Sequence, residues 1–365
     1  MADRRYRVAI IGCGRPRGAG GETGAARGIQ HWHGYRASGR CDLVALADIR
    51  RENAVAFAAE EGDPASPPAV YEDYRAMLAE VRPDIVSVCT WPSLHAEMVV
   101  AAAAAGVRAI HCEKPMAPTW GEARRMAEAV RAAGALLIFT HQRRFEAQFR
   151  AARRLLREGV IGELVGMECC CSNLFDWGTH WFDMMNFYHG DRDVQWVMGQ
   201  IDLREGRRVF GALVEDQGLS YFRYTDGVWG LLATGSGANL GAANRLIGTE
   251  GLIEVGPRLA DGQRVAVRVR GRGDVDWRVP DISGDRPGEG GAVAAATADL
   301  LRCLEQGGDP ELSVTRALRA TELIFATYES ARRRARVDLP LHIDDSPLLD
   351  LFERGEIGQA AGARG

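Results

Sequence analysis

The first 140 residues alternate short apolar segments with longer helical segments, and this alternation limits the possible folds more than any other feature. The segments that predict strands are 6–11, 42–47, 84–89, 109–112 and 136–140. The segments that predict helices are 28–37, one beginning near Glu52, 72–81, 96–106 and 119–134. Strands separated by helices of this length predict a parallel, doubly wound sheet with right-handed crossovers.

A glycine-rich turn follows the first predicted strand. Gly12 and Gly14 stand in this turn, and Gly28 stands where the next helix begins. Glycines here let the backbone approach a pyrophosphate, which the free N–H groups and the positive dipole end of the helix then bind. The dinucleotide fingerprint has its third glycine three residues after the second. Since residues 15–27 intervene, we interpret Gly28 as the third glycine, displaced by an insertion.

Asp48 stands at the end of the second predicted strand. An acidic side chain at this position can bind a ribose 2′-hydroxyl and repel a 2′-phosphate, which favours NAD. Arg50 and Arg51 follow closely and could accommodate that phosphate, so NADP remains possible. An alternative interpretation makes Asp48 the N-cap of the helix that begins near Glu52.

Lys114 is the only lysine among the 45 Lys and Arg residues of the chain. A compact ammonium has three donors and changes its protonation when desolvated, which the planar guanidinium of arginine does not. Lys114 follows the strand 109–112, and Pro115 prevents that strand from continuing. Open α/β sheets bind ligands at the carboxyl ends of their strands. We therefore predict a functional role for Lys114.

These motifs together resemble the family of glucose–fructose oxidoreductase, inositol dehydrogenase and rhizopine-catabolism proteins. The resemblance rests on the glycine turn, Asp48, Thr90-Trp91-Pro92 with His95, Glu113-Lys114-Pro115, Gln142-Arg143-Arg144-Phe145 and Asp176-Trp177-Gly178-Thr179-His180-Trp181-Phe182-Asp183. It covers most of residues 6–342. The insertion after Gly14 departs from the family pattern, as does Trp91, where the family commonly has a smaller or differently polar residue.

The resemblance implies an NAD(P)-dependent oxidoreductase that transfers a hydride between nicotinamide and a secondary alcohol or ketone of a sugar or cyclitol. The cofactor-binding residues that it implies are Gly12, Gly14, Gly28, Asp48, Thr90, Trp91, Pro92, His95 and Glu113. Two other classes remain open at this point. One is an NAD-dependent glycosidase or lyase-like enzyme with transient oxidation, and the other is a non-catalytic nucleotide-sensing regulator.

Within this resemblance, His180 is the candidate general acid/base, because an imidazole titrates near neutral pH. Asp176 would orient His180, and Lys114 would donate to the reacting oxygen and stabilise its partial negative charge. The candidate contacts for substrate hydroxyls are Lys114, Arg143, Arg144 and Asp183. Residue type alone would also allow a metal at His180, Asp183 and His189, but no fourth ligand is indicated, so we predict no metal.

The length of 365 residues predicts two domains. We place a Rossmann domain at 1–145, an α+β substrate and oligomerisation domain at 146–342, and a loose tail at 343–365. The second domain has many candidate strands joined by short turns, which indicates a mostly antiparallel sheet with helices on one face. The resemblance implies that the open face of this sheet forms a homodimer or homotetramer interface.

The charge balance gives no excess of cations, because 45 Lys and Arg residues stand against 49 Asp and Glu residues. The composition therefore predicts no binding to a phosphate backbone, such as that of a nucleic acid, or to an anionic membrane surface. No stretch approaches the roughly 20 apolar residues of a membrane span. We expect a cytoplasmic protein with a small-molecule polyol substrate.

Overall fold

The computed structural model describes residues 5–15, 27–257 and 265–358. The chain forms two compact units. The first comprises Met1–Pro118, Glu122–Gln142 and Pro287–Ala317, and the second comprises Thr119–Gly121, Arg143–Arg286 and Leu318–Gly365. Residues 287–317, which we predicted in the second domain, thus group with the first unit.

The first unit contains a six-stranded parallel sheet. Its strands are β1 (Tyr6–Ile11), β2 (Cys41–Ala47), β3 (Ala69–Tyr71), β4 (Ile85–Val88), β5 (Ala109–Cys112) and β6 (Leu136–Phe139). Their order in the sheet is β3-β2-β1-β4-β5-β6. This order reverses direction between β1 and β4, and in open α/β sheets ligands bind at such a switch point. The prediction of a doubly wound parallel sheet is confirmed.

Helices connect these strands. They are α1 (Arg27–Ala37), α2 (Arg51–Glu61), α3 (Tyr74–Val81), α4 (Pro92–Ala104) and α5 (Trp120–Ala133). Helix α4 begins four residues before the predicted start, because Pro92 occupies its first turn, where a proline is well tolerated. Strand β3 was not predicted, because its three residues are too few to give a recognisable strand pattern in the sequence.

A later segment of the chain completes the first unit. Helix α8 (Gly291–Gln306) packs against α1 so closely that a Cβ atom on Gly34 would lie 2.7 Å from Thr297 Oγ1. The phenol of Tyr6 in β1 also donates to Glu305 over 3.1 Å. These contacts explain why residues 287–317 group with the first unit.

The second unit contains an eight-stranded mixed sheet and a two-stranded hairpin. The sheet strands are β7 (Leu164–Cys171), β8 (Val194–Asp202), β11 (Gln217–Tyr224), β12 (Trp229–Thr234), β13 (Asn244–Gly248), β14 (Gly251–Val255), β15 (Val267–Gly271) and β16 (Val337–Asp338); the hairpin is β9 (Arg208–Val209) with β10 (Ala212–Leu213). The sheet order is β15-β14-β13-β7-β12-β11-β8-β16, and among the described pairs only β7 and β12 run parallel. The prediction of a mostly antiparallel sheet is confirmed.

Helices cover one face of this sheet. They are α6 (Ala147–Arg157), α7 (Gly178–Tyr188) and α9 (Val314–Arg333) from Leu318 onwards. Phe182 of α7 packs edge-on against Phe222 of β11, and Ser330 of α9 accepts from the Gly199 N–H of β8. The opposite face keeps large apolar side chains at the surface, with Met198 at 50% and Leu219 at 45% exposure.

The segment 343–365, predicted as a loose tail, contains helix α10 (Pro347–Glu353). Leu348 and Leu351 of α10 are buried, and Asp350 accepts a hydrogen bond from Arg332 of α9 over 3.0 Å. The prediction is therefore wrong for this helix, because two leucines three residues apart suffice to pack a short amphipathic turn. Residues 359–365 lie outside the described part of the chain. Among the described helices, none is long and apolar enough to cross a membrane.

Candidate functional site

The glycine turn lies at the carboxyl ends of β1 and β4. Gly12 has a φ of +90°, and a Cβ atom there would lie 2.6 Å from the Cys89 carbonyl oxygen that follows β4. Gly14 also has a positive φ of +73°. Side chains are thus excluded at Gly12 both by conformation and by space. The turn therefore presents bare backbone at the sheet edge, as the fingerprint predicts.

Gly28 lies on the buried side of α1. A Cβ atom there would lie 3.0 Å from Ile10 Cγ2 and 3.1 Å from the Gly12 carbonyl oxygen. Close packing of helix on strand is what the third fingerprint glycine provides. The geometry therefore fits the role that we predicted for Gly28. Residues 16–26 of the predicted insertion lie outside the described part of the chain.

The Asp48 carboxylate connects the ends of β1 and β2. Its Oδ2 accepts from the Cys13 N–H over 2.9 Å, and its Oδ1 accepts from the Arg50 N–H over 2.9 Å and from Asn53 Nδ2 over 3.1 Å. The N-cap of α2 is Arg50, so the N-cap interpretation of Asp48 is wrong. A carboxylate has about four acceptor positions, so the three donors leave room for one hydroxyl.

A cleft of about 420 Å³ opens beside these turns, a volume within the range of small-molecule sites. Its lining includes Gly12, Gly14, Asp48, Thr90, Trp91 and Leu94. Trp91 and Leu94 are exposed large apolar side chains, which add an apolar wall to the lining of the cleft. Bare glycine backbone, an acidic side chain and an apolar wall together fit a dinucleotide such as NAD.

His95 and Pro92, which we predicted to bind the cofactor, are buried in the first turn of α4. His95 Nε2 lies 3.1 Å from the Thr90 carbonyl oxygen, and Nδ1 lies 3.0 Å from the Pro115 carbonyl oxygen. Burial lowers the pKa of His95, against the effect of these backbone hydrogen bonds. His95 thus links the loop after β4 to the loop that carries Lys114, and the structure does not support direct cofactor binding by His95 or Pro92.

Glu113, also predicted to bind the cofactor, turns its carboxylate into the core of the first unit. Oε1 lies 3.1 Å from His31 Nε2, and Oε2 accepts from the Lys114 N–H over 3.2 Å. Burial opposes ionisation of Glu113, but the hydrogen bond from His31 and the charges of His31, Arg27 and Lys114 hold its pKa below the usual value. The carboxylate therefore acts on the backbone of the lysine beside it.

In the second unit, Asp176 and His180 lie at the start of α7. The Asn173 side chain accepts from the Asp176 N–H over 2.7 Å, and the Asn173 carbonyl accepts from the Gly178 N–H over 2.9 Å. His180 is largely buried, with its ring centroid 6.5 Å from that of Trp177. Since α7 begins at Gly178, Asp176 precedes the helix rather than lying one turn before His180 on it.

Arg144 and Asp183, predicted to contact substrate hydroxyls, form a buried ion-pair network. Arg144 Nη2 lies 2.8 Å from Asp183 Oδ1 and 2.7 Å from Asp191 Oδ1, and Nε lies 3.0 Å from both Asp183 oxygens. The side chains of Arg144 and Asp183 are essentially inaccessible. The prediction is therefore wrong for these two residues, because buried charges need a partner and each supplies the other's.

Arg143 has a different environment. Its guanidinium carbon lies 4.3 Å from the ring centre of Trp181 and 5.6 Å from those of Trp177 and Phe149. Burial lowers the pKa of Arg143, which the charge of Glu146 opposes. Contact with the rings of Trp177 and Trp181, on either side of His180, keeps Arg143 a candidate for substrate binding.

Several polar residues that support these loops were not predicted. His31 lies three residues after Gly28 on the buried side of α1. That spacing places both residues on the same face of a helix, so the sequence could have indicated that His31 is buried. Glu215 lies in the second unit and accepts from the Leu174 N–H over 2.6 Å and from the Tyr328 hydroxyl over 2.7 Å. No sequence pattern pairs Glu215 with a loop 41 residues earlier.

Two family models match the chain. Residues 6–141 match the oxidoreductase family with an NAD-binding Rossmann fold, and residues 168–339 match the C-terminal α/β domain of the same oxidoreductase family. The chain belongs to this oxidoreductase family. The resemblance inferred from the motifs is thereby confirmed.

Three of the curated relatives carry names of sugar or cyclitol dehydrogenases. D-apiose dehydrogenase of Paraburkholderia graminis is 26% identical over 97% of this chain and 95% of its own length. D-glucoside 3-dehydrogenase of Escherichia coli is 34% identical over 45% of this chain and 42% of its own length. Inositol 2-dehydrogenase of Paracoccus denitrificans is 36% identical over 32% of this chain and 34% of its own length.

Solved structures share the fold of this family member. Levoglucosan dehydrogenase in complex with NADH and levoglucosan has a TM-score of 0.75 at 20% identity, covering 93% of this chain and 100% of that one. The WlbA dehydrogenase from Bordetella pertussis, in complex with NADH and UDP-GlcNAcA, has a TM-score of 0.71 at 22% identity, covering 93% and 100%. At these identities the likeness shows the fold alone.

We predict that Arg144→Met destabilises the protein by about 3 to 5 kcal/mol, because it leaves the buried carboxylate of Asp183 without its counter-charge. Urea unfolding followed by circular dichroism measures this change. Arg204→Met is a matched control, since Arg204 forms an exposed pair with Asp202 at 2.6 Å and its loss should change stability by less than about 1 kcal/mol. Equal urea midpoints of unfolding for the two variants would contradict a structural role for Arg144.

Proposed function

We propose that this NAD-dependent oxidoreductase transfers a hydride between the cofactor and a secondary alcohol or ketone of a sugar or cyclitol. The single observation that carries the proposal is the position of Lys114. It follows β5 at the sheet edge where Gly12 and Asp48 follow β1 and β2. The sugar and cyclitol dehydrogenases among the relatives support the substrate class.

The bound dinucleotide supplies the hydride chemistry, and the chain binds and orients it. The Gly14 N–H and the start of α1 would hold the pyrophosphate, because the Gly12 and Cys13 N–H groups already donate to the Ala47 carbonyl and to Asp48. Asp48 would accept from a ribose hydroxyl with its remaining acceptor position. Trp91 and Leu94 would cover apolar surface of the cofactor and exclude water.

The proposed chemistry requires a group that moves the hydroxyl proton and a donor for the developing alkoxide. His180 takes the proton in oxidation and returns it in reduction, while Asp176, which precedes α7, orients His180. Lys114 donates to the reacting oxygen and stabilises its negative charge. Arg143 contacts substrate hydroxyls beside the indole rings of Trp177 and Trp181.

We also propose that the open face of the eight-stranded sheet joins copies of this chain into a homodimer or homotetramer. Trp196, Tyr221 and Trp229 form a row across this face, with ring centres 5.7 and 6.3 Å apart. Met198 and Leu219 extend the apolar surface. Exposed apolar patches of this kind mark association surfaces. Light scattering at increasing protein concentration tests this association. The cytoplasmic location stays a prediction.

We predict that the protein binds NADH at least about tenfold more tightly than NADPH, a difference of about 1.4 kcal/mol, because Asp48 repels a 2′-phosphate. Asp48→Asn keeps the shape but removes the charge, so the preference should shrink. Fluorescence titration with both cofactors measures it. Arg50→Gln is a control with the opposite expectation. It should weaken the binding of NADPH more than the binding of NADH. Tighter binding of NADPH to the unaltered protein would contradict this assignment.

We predict that His180→Ala lowers kcat by about 10² to 10⁴, the scale of a lost general acid/base, while NADH affinity stays within a few-fold. The assay is absorbance of NADH during a screen of sugars and cyclitols, followed by steady-state kinetics on the best substrate. His189→Ala is the matched control, because His189 pairs with Asp226 at the far end of α7. A kcat for His180→Ala within a few-fold of the unaltered enzyme would remove His180 from the mechanism.

A further inference from the structure

A group of buried polar side chains lies in the core of the first unit, directly behind Lys114. The group, which we call the His31 cluster, consists of His31, Tyr35, Ser87, His111, Glu113 and Thr140. Its members come from α1, β4, β5 and the segments that follow β5 and β6. Polar groups are costly to bury, so a cluster of this size in a sheet core depends on the hydrogen bonds among its members.

The hydrogen bonds of the cluster form a continuous chain that ends at Lys114. The Tyr35 hydroxyl lies 3.1 Å from Ser87 Oγ, which lies 3.1 Å from His31 Nδ1. His31 Nε2 lies 3.1 Å from Glu113 Oε1, and Glu113 Oε2 accepts from the Lys114 N–H over 3.2 Å. With the proton on Nε2, every link has one donor and one acceptor.

A hydroxyl, an imidazole and a carboxylate that are linked in this order by hydrogen bonds also occur in hydrolase active sites. That function does not fit here, because Ser87 and His31 are fully buried and Glu113 is nearly so. Ser87 Oγ also lies between Tyr35 and His31 and has no open side among the described residues. The arrangement therefore orients groups within the protein and does not attack a substrate.

We propose that His31 is a positioning residue for Lys114. It holds the Glu113 carboxylate in one place and in its ionised form, and Glu113 in turn fixes the backbone and the electrostatic environment of the only lysine. This inference rests on the proposed role of Lys114. It deepens that role by naming a residue that acts on Lys114 through Glu113.

The ring of His31 packs directly against a second buried imidazole. The imidazole of His111 stacks on it with a centroid distance of 3.7 Å and an interplanar angle of 16°. Burial lowers the pKa of His111, and the charge of His31 lowers it further, so a second cation is disfavoured in this stack. Tyr35 and Glu113 are the other titratable members of the cluster, and the titratable or charged groups that face it are Arg27, Cys89, Cys112 and Lys114.

Loss of the hydrogen bond from His31 should change the protonation of Glu113 in a predictable direction. Burial favours the neutral form of Glu113, and the hydrogen bond from His31 is the largest effect that opposes burial. Without that bond, the protonated form of Glu113 is populated at higher pH. The negative charge that Glu113 presents beside Lys114 is then reduced, and loss of a negative neighbour favours the neutral form of an amine.

The chain allows a direct test, because an amine-directed reagent can modify only Lys114 and the N-terminal amine. We expect His31→Leu to shift the pH dependence of Lys114 modification downward by about one unit, measured by peptide mass spectrometry. The N-terminal amine in the same sample is the internal standard. We also expect kcat to fall about 10- to 100-fold, the scale of a misplaced catalytic group, with the KM for NAD little changed. His31→Gln, which retains a donor, should restore both properties to within about threefold.

His33→Leu is a matched control. His33 lies on the same helix and also binds a glutamate, with Nε2 3.0 Å from Glu61 Oε1, but on the outer side of α1. This variant should leave Lys114 modification unchanged. If His31→Leu does not fold, Ser87→Ala replaces it and should shift the profile in the same direction by a smaller amount.

An unchanged modification profile in folded His31→Leu, or in Ser87→Ala if that variant must be used, would overturn the inference. A profile that shifts equally in His31→Gln and His31→Leu would overturn it as well. These outcomes are independent of the proposed function, because modification needs no substrate. Conversely, absence of turnover by the unaltered enzyme with every sugar and cyclitol would count against the proposed function and leave the modification profiles to decide the role of His31.

Discussion

The close approach of β1 and β4 at their carboxyl ends is the constraint on which the first unit depends. A side chain at Gly12 would collide with the Cys89 carbonyl, and one at Gly28 would crowd Ile10 and the Gly12 carbonyl. Because both positions are glycine, α1 can start directly behind the sheet edge. The parallel register then brings Asp48, Thr90 and Glu113 to the same edge as the glycine turn.

Hydrogen bonds and ion pairs between buried polar groups organise both units. In the first unit, Glu113 lies between His31 and the Lys114 backbone. In the second unit, Arg144 pairs with Asp183 of α7 and with Asp191. These interactions do not touch a substrate. They hold in place the loops and helices whose other residues are the candidates for doing so.

Sequence patterns predicted the architecture and part of the site. Strong periodicity and the glycine turn were sufficient for the parallel sheet, for Gly28 as a close-packing position and for Asp48 at the cleft. The patterns failed where function depends on the direction of a side chain. Arg144, Glu113 and His95 stand in motifs, yet their side chains turn inward to ion pairs or carbonyls, and a motif does not specify direction. Strand β3 and helix α10 were too short for a periodic signal.

The central claim is that the reaction is a direct hydride transfer between a polyol carbon and the dinucleotide. The most direct measurement uses a substrate deuterated at the reacting carbon, with mass spectrometry of the reduced cofactor. Our account predicts stoichiometric NADH that carries one deuterium, and loss of that product in Lys114→Arg, whose planar cation cannot replace a compact ammonium. Product formation without net reduction of NAD, or NADH without deuterium, would contradict it.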